Sequence, residues 1–212
     1  MSKARFDKFV LLVNGLVPLA MFGYDTAVRH LGPNPVEFAL HTTGMLALIF
    51  LMLTLAVTPL RKITGRNYLS NFRRMLGLFS FFYACLHLTI YFVFDRSMSF
   101  KGILVDTIDR PFILLGMTCL FIMVPLAITS TNGMVKRLGA DRWKSLHRAI
   151  YIAAICGVWH YYLLVKADTT KPMIFVVVVT ILLGYRLVLK RFPSLGRKRA
   201  PVRPIAAVPV ET

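Results

Sequence analysis

Six apolar runs, each long enough to cross a lipid bilayer, constrain this chain more than anything else in it. They cover approximately 9–28, 40–60, 75–94, 111–129, 148–165 and 172–189. About 20 apolar residues span a hydrocarbon core of about 30 Å. In hydrocarbon each backbone polar group must find its partner within the protein, so an isolated apolar run of that length crosses as a helix. The sequence therefore predicts an all-α integral membrane protein. It has a six-helix transmembrane domain over residues 1–190 and a basic tail over 191–212. Little chain is left for a globular domain.

Charge orients the bundle. The formal net charge is +17, a balance that in a soluble domain suggests nucleic acid. Its distribution says otherwise. With the amino terminus inside, twenty Lys and Arg fall in inner segments and six in outer ones. That alternation is the positive-inside rule, and it places both termini in the cytoplasm. Membrane orientation accounts for the charge, and no nucleic-acid partner is expected.

Turn chemistry agrees with the spans. Pro33-Asn34-Pro35 closes an outer loop that also holds His30, which is assigned no role. Thr58-Pro59-Leu60 reads as the stop of helix 2, and Ser130 to Ser145 as an inner loop. Phe100 to Ile108 suggests an amphipathic turn in the outer loop, and Pro111 opens helix 4. The first run, behind Lys3, Arg5 and Lys8, resembles a signal peptide but has a poor cleavage site; it is read as a retained helix. Cys85, Cys119 and Cys156 all lie within spans and read as small buried hydrophobes. No glycine-rich loop sits in a strand–turn–helix setting, so no nicotinamide- or FAD-binding domain is fused to the segment.

Four histidines carry the functional signal. His41, His87, His147 and His160 sit in or at the ends of apolar runs that hold almost no carboxylate. Ionisable groups at membrane depth are expensive and usually functional. Neutral imidazole is a common axial ligand of haem iron. His87 and His160 each lie about 12 residues from the inner end of their helices, and those two helices run in the same direction. At matched depth they can hold one haem iron from both sides. Gly157, one turn before His160, offers room for a porphyrin face. His147 precedes His160 by 13 residues, about 20 Å along a continuous helix and about 220° around it. It belongs to a different site, near the inner boundary. Thirteen residues before His87 stands Arg74, a poor axial ligand but a good partner for haem propionates.

Plainer readings stand beside these. His41 and His147 also read as hydrogen-bonded residues at helix ends, and His87 with His160 as a buried polar pair bridging helices. Arg73 and Arg74 also read as topology signals.

Several strings resemble one family. They are His41-Thr42-Thr43-Gly44, Thr58-Pro59-Leu60, Arg73-Arg74-Met75-Leu76-Gly77-Leu78 and Tyr83-Ala84-Cys85-Leu86-His87-Leu88. Further along come Thr129-Ser130, Leu138-Gly139, Trp143, Leu146-His147-Arg148, Tyr151 and His160. Together they resemble MsrQ, formerly YedZ, the haem-binding membrane subunit of the protein-methionine-sulfoxide reductase system. That family sits among the ferric-reductase-like transmembrane proteins. The resemblance implies b-type haem, one or two per chain, held by His87, His147 and His160, with FMN as an associated cofactor. It implies a multi-pass protein of the bacterial inner membrane. Electrons would pass from quinone or a flavin reductase to a periplasmic molybdopterin-containing methionine sulfoxide reductase. Arg74, Arg73 and His41 are the candidate propionate or inner-site partners. The wider family pairs histidines on both haem helices, whereas helix 3 here offers only His87.

The expected role is electron transfer rather than self-sufficient catalysis. One alternative is a stand-alone membrane ferric or cupric reductase. Another is a proton or metal-ion transporter, although such proteins typically use intramembrane carboxylates.

Overall fold

The computed structural model describes residues 3–28 and 32–192. The predicted tail from 191 lies outside the described residues from 193 onward, as does His30. Nine α-helices are described: α1 Lys3–Ala27, α2 Pro35–Thr64, α3 Arg73–Ile90, α4 Phe100–Asp109, α5 Pro111–Ile128, α6 Asn132–Leu138, α7 Ala140–His147, α8 Ile150–Leu164 and α9 Thr170–Arg191. A 3-10 turn, Asn67–Asn71, precedes α3, and a π-helical turn, Tyr91–Asp95, extends it.

Five helical stretches among the described residues are long and apolar enough to cross a membrane: α1, α2, α3 with its flanking turns, α5 and α9. The sixth predicted span, 148–165, is α8, whose 15 residues rise about 22 Å. It lies antiparallel along α5, with its last turn beside the first turn of α5, where His160 meets Phe112.

Helix ends follow local chemistry. Asn34 caps α2: its Oδ1 accepts from the Glu37 amide at 3.2 Å, and its Nδ2 donates to the Glu37 carboxylate at 2.8 Å. Helix α2 does not stop at Thr58-Pro59-Leu60. It runs through Pro59 to Thr64 and ends at Gly65, in the left-handed region at φ 72°. Proline lacks the N–H that the Leu55 carbonyl would otherwise accept. The Arg186 guanidinium of α9 takes its place, with Nη2 2.6 Å from the Leu55 oxygen. The expected inner loop 130–145 is also mostly helical, forming α6 and α7 around Gly139 at φ 79°.

The core has two parts. In one, Leu48, Leu51, Leu55, Met123, Ala153, Ala154 and Val158 join α2, α5 and α8, with Val179 of α9 against them. In the other, Phe50 of α2 stacks between Phe79 and Tyr83 of α3. Tyr83 is fully buried, and its hydroxyl donates to the Gly15 carbonyl at 2.7 Å, tying α1 to α3. Elsewhere the long helices expose Phe9, Val13, Phe121, Val177 and Ile181. Such a continuous apolar exterior fits lipid contact. The result is two helix pairs, α2 with α3 and α5 with α8, joined along one side by α9.

Candidate functional site

Between those pairs lies a mostly apolar cavity of about 470 Å³, lined by α2, α3, α5 and α8. That is within the range of cofactor pockets, about 300–1,000 Å³. His87 enters from α3 and His160 from α8, and their ring centres are 6.2 Å apart. Neither helix is the other's main packing partner; the histidines meet across the cavity.

The two imidazoles are held in the same way. His87 Nδ1 lies 3.0 Å from the Leu40 carbonyl oxygen of α2, and His160 Nδ1 lies 2.6 Å from the Phe112 carbonyl oxygen of α5. A carbonyl only accepts, so each ring carries its proton on Nδ1. Each Nε2 is left with its lone pair and without a protein partner among the described residues. Metal-bound histidines are typically oriented by such a bond from the far nitrogen. Four residues beyond each accepting carbonyl stands a glycine. A Cβ on Gly44 would lie 3.2 Å from the His87 ring, and one on Gly116 only 2.8 Å from His160 Nδ1. The bare backbone is what lets each ring lie against the neighbouring helix. Thr43 Oγ1, 3.5 Å from His87 Nδ1, completes the α2 side.

Haem fits this pair. Two imidazole–metal bonds of about 2 Å, with ring centres about 1 Å further back on each side, require roughly 6 Å between centres. The ring separation meets that requirement. No group of three or more His, Cys, Asp or Glu side chains converges among the described residues, so the pair belongs to no larger metal-binding set.

One end of the cavity is polar. His41, Tyr91, Asp95 and Arg110 reach its lining there. Asp106 of α4, buried, receives the Tyr91 hydroxyl, Arg96 Nη2 at 2.5 Å and Arg110 Nε at 3.3 Å. Tyr91 sits in the π-helical turn, a distortion that often marks functional positions. His41 Nε2 lies 3.9 Å from Glu37 and is largely exposed.

Three predicted site residues lie elsewhere. His147 ends α7, and residues 148 and 149 form a turn before α8 begins. The continuous helix assumed between His147 and His160 is therefore broken, and the 20 Å and 220° offsets do not apply. The His147 ring stacks on Trp143 at 3.8 Å, with Nδ1 3.1 Å from the Trp143 carbonyl oxygen and Nε2 3.5 Å from Ser130 Oγ. Burial pushes its pKa below the ordinary value, against the raising effect of the Trp143 and Leu126 carbonyls; Arg73 and Arg74 lower it further. Arg74 Nη1 donates to Asn132 Oδ1 at 2.7 Å, and Arg73 lines a second, smaller cavity.

Comparison with known proteins agrees with this architecture. Residues 43–158 match the model of the ferric reductase like transmembrane component. The chain is 46% identical over 182 residues to the protein-methionine-sulfoxide reductase heme-binding subunit MsrQ of Herminiimonas arsenicoxydans, covering 85% of this chain and 84% of that one. To the MsrQ of Rhodospirillum rubrum it is 43% identical, covering 94% of each chain. The chain belongs to the MsrQ family.

In this MsrQ-family chain, a multi-pass membrane protein, the structure brings together His87 and His160, two of the three histidines that the resemblance implies as haem ligands. His41 joins them at the polar end of the cavity, whereas His147, Arg73 and Arg74 stay apart. Gly157 lines the cavity, but a Cβ there would meet Cys119, Leu48 and Leu51 at ordinary contact distance. The glycines that make room at the site are Gly44 and Gly116. In the sequence Gly44 stands out only as part of a family string, and Gly116, Arg110 and Asp106 are given no site role. A glycine inside each of two apolar runs was the available signal.

Proposed function

We propose that this chain is an electron-transfer subunit that holds b-type haem between His87 and His160. It would serve a periplasmic, molybdopterin-containing methionine sulfoxide reductase that repairs oxidised proteins. The observation that carries this reading is the imidazole pair, 6.2 Å apart, each ring anchored through Nδ1 to a carbonyl of a different helix. The printed names of the MsrQ relatives, which call them heme-binding subunits of a protein-methionine-sulfoxide reductase, support it.

Haem bound there would supply one-electron exchange between ferric and ferrous iron. The protein's part is positional. His87 and His160 would hold the haem from two helices and leave no open place beside it for a substrate, which suits relay rather than catalysis. The Leu40 and Phe112 carbonyls fix the tautomer and raise the basicity of the ligating nitrogens. The apolar walls exclude water. Arg110 and His41 stand where carboxylates could be met at the polar end, and Arg110 carries the planar fork suited to them.

We place α8 as a sixth membrane crossing and both termini in the cytoplasm of a bacterial inner-membrane protein, on the charge asymmetry of the sequence. The polar end of the cavity then faces the periplasm. His147 and Arg74 would serve an inner redox site that receives electrons from quinone or a flavin reductase, and FMN is the cofactor the family resemblance adds; Arg73 lines the second cavity instead. Residues 1–190 would form the haem domain, and the tail from 191 would lie on the cytoplasmic side.

Reconstitution tests the reading. The chemically reduced chain, mixed anaerobically with the periplasmic subunit of an MsrQ system and a methionine-sulfoxide peptide, should be reoxidised with two haem equivalents consumed per sulfoxide. Reoxidation by ferric or cupric chelates alone, with none by that subunit and its substrate, would favour a stand-alone metal reductase.

A further inference from the structure

Away from the His87–His160 cavity, α2, α3, α8 and α9 enclose a second concavity of about 320 Å³, lined by Thr58, Lys62, Arg73, Tyr151, Arg186 and Lys190. Four of these side chains are cationic, and no carboxylate among the described residues lines the concavity. Among the described residues none of the four makes an ion pair. Membrane topology explains exposed Lys62, Arg73 and Lys190. It does not explain Arg186, which is drawn partly inside.

Arg186 is fixed from two sides. Its Nη2 occupies the Leu55 carbonyl that Pro59 leaves open, and its guanidinium carbon lies 5.1 Å over the Tyr151 ring. Its Nη1 is buried and has no acceptor among the described residues. A buried donor without a partner is uncommon, and an unseen ion or water is a usual cause. A guanidinium with one face on an aromatic ring and both Nη1 hydrogens unpaired among the described residues, beside three more cations, is an anion receptor. The adjacent turns of α2 and α9 expose Leu60, Ile63, Leu187 and Val188, apolar surface of the kind acyl chains cover. Basic recesses between membrane helices bind anionic lipid headgroups.

We propose that this concavity binds the phosphate of an anionic phospholipid, with Arg186 as its fixed donor and Lys62, Arg73 and Lys190 closing around it. A two-phosphate headgroup matches the four cations better than a single phosphodiester. Bound there, the lipid ties α9 to α2 and α3.

The test uses the full chain, delipidated in neutral detergent. Thermal unfolding is followed on adding cardiolipin, phosphatidylcholine or inorganic phosphate, and retained lipid is counted by native mass spectrometry. Cardiolipin should raise the midpoint, and the other two should not. The paired substitution Lys62→Gln/Lys190→Gln changes only exposed side chains and should weaken cardiolipin binding about tenfold or more. Arg186→Gln should abolish it. Equal stabilisation by phosphatidylcholine would overturn the site, and so would unchanged cardiolipin binding in the lysine pair. Equal stabilisation by inorganic phosphate would make the ligand a free anion and overturn the lipid assignment.

Discussion

His87 and His160 reach one cavity from helices that pack mainly on other partners, yet each is anchored identically: Nδ1 to a backbone carbonyl, ring against a glycine four residues further on. Leu40 with Gly44 and Phe112 with Gly116 are thus the same device on two helix pairs. It fixes the tautomer, the ring plane and the free nitrogen together.

The glycines should therefore be sensitive in a definite order. An alanine methyl at 116 would stand 2.8 Å from His160 Nδ1, against 3.2 Å from the His87 ring at 44. Overpacking of this kind typically costs about 1–3 kcal/mol. Gly116→Ala should lower haem retention and shift the midpoint potential more than Gly44→Ala, measured by redox titration of the purified variants. The reverse order would show that the two rings are not held as described.

The polar end should depend on Asp106. Removing its carboxylate leaves Arg110 without an ion-pair partner among the described residues and Arg96 with Asp95 alone, 3.3 Å from its Nε. Asp106→Ala should cost about 3 kcal/mol, the low end for breaking a buried pair, because Arg110 is half-exposed. Tyr91→Phe, which removes a donor to Asp106 and an acceptor for Arg96 Nε, should cost about 1.5 kcal/mol. Thermal unfolding in detergent separates the two, and an Asp106→Ala midpoint equal to wild type would mean the cluster contributes nothing.

His147 supplies a pH dependence. Its pKa in the folded protein lies below the ordinary value of about 6.5, so folding favours the neutral ring. That contribution is complete above about 6.5 and is lost as pH falls through the folded pKa below it. The stability difference between wild type and His147→Gln should therefore shrink on acidification from pH 7.5 to about 5. A difference that grows instead would mean the ring is stabilised as the cation. His147→Ala should leave the spectrum of the His87–His160 haem intact, because its ring lies outside that cavity.

The legibility of these features in the sequence follows their physics. Five of the six predicted spans were legible because apolar length marks them, and the approach of His87 to His160 because helical rise is regular. Gly44 and Gly116 were not, since their importance depends on a ring arriving from another helix. Helix α2 runs on through Pro59 because the Leu55 carbonyl that proline leaves open is met by Arg186, 131 positions away, a pairing no local pattern displays. The break at Arg148–Ala149 gives no proline or glycine signal, so His147 was projected along a helix that is not continuous.

Topology is open to direct chemistry. Single cysteines at Lys101 and Thr169 should react with a membrane-impermeant thiol reagent in intact cells, in a background lacking Cys85, Cys119 and Cys156. One at Asp141, nearly fully exposed, should react only after lysis. Labelling of position 141 alone in intact cells would invert the orientation.

The central claim is the shared iron, and the electron paramagnetic resonance spectrum of the oxidised protein tests it most directly. The imidazole planes stand at 80°. Near-perpendicular axial imidazoles give a strongly anisotropic low-spin signal rather than the rhombic one of parallel rings. Wild type should show that signal, and His87→Ala and His160→Ala should each lose it, with haem lost or converted to high spin. An unchanged low-spin signal in either variant would contradict the account.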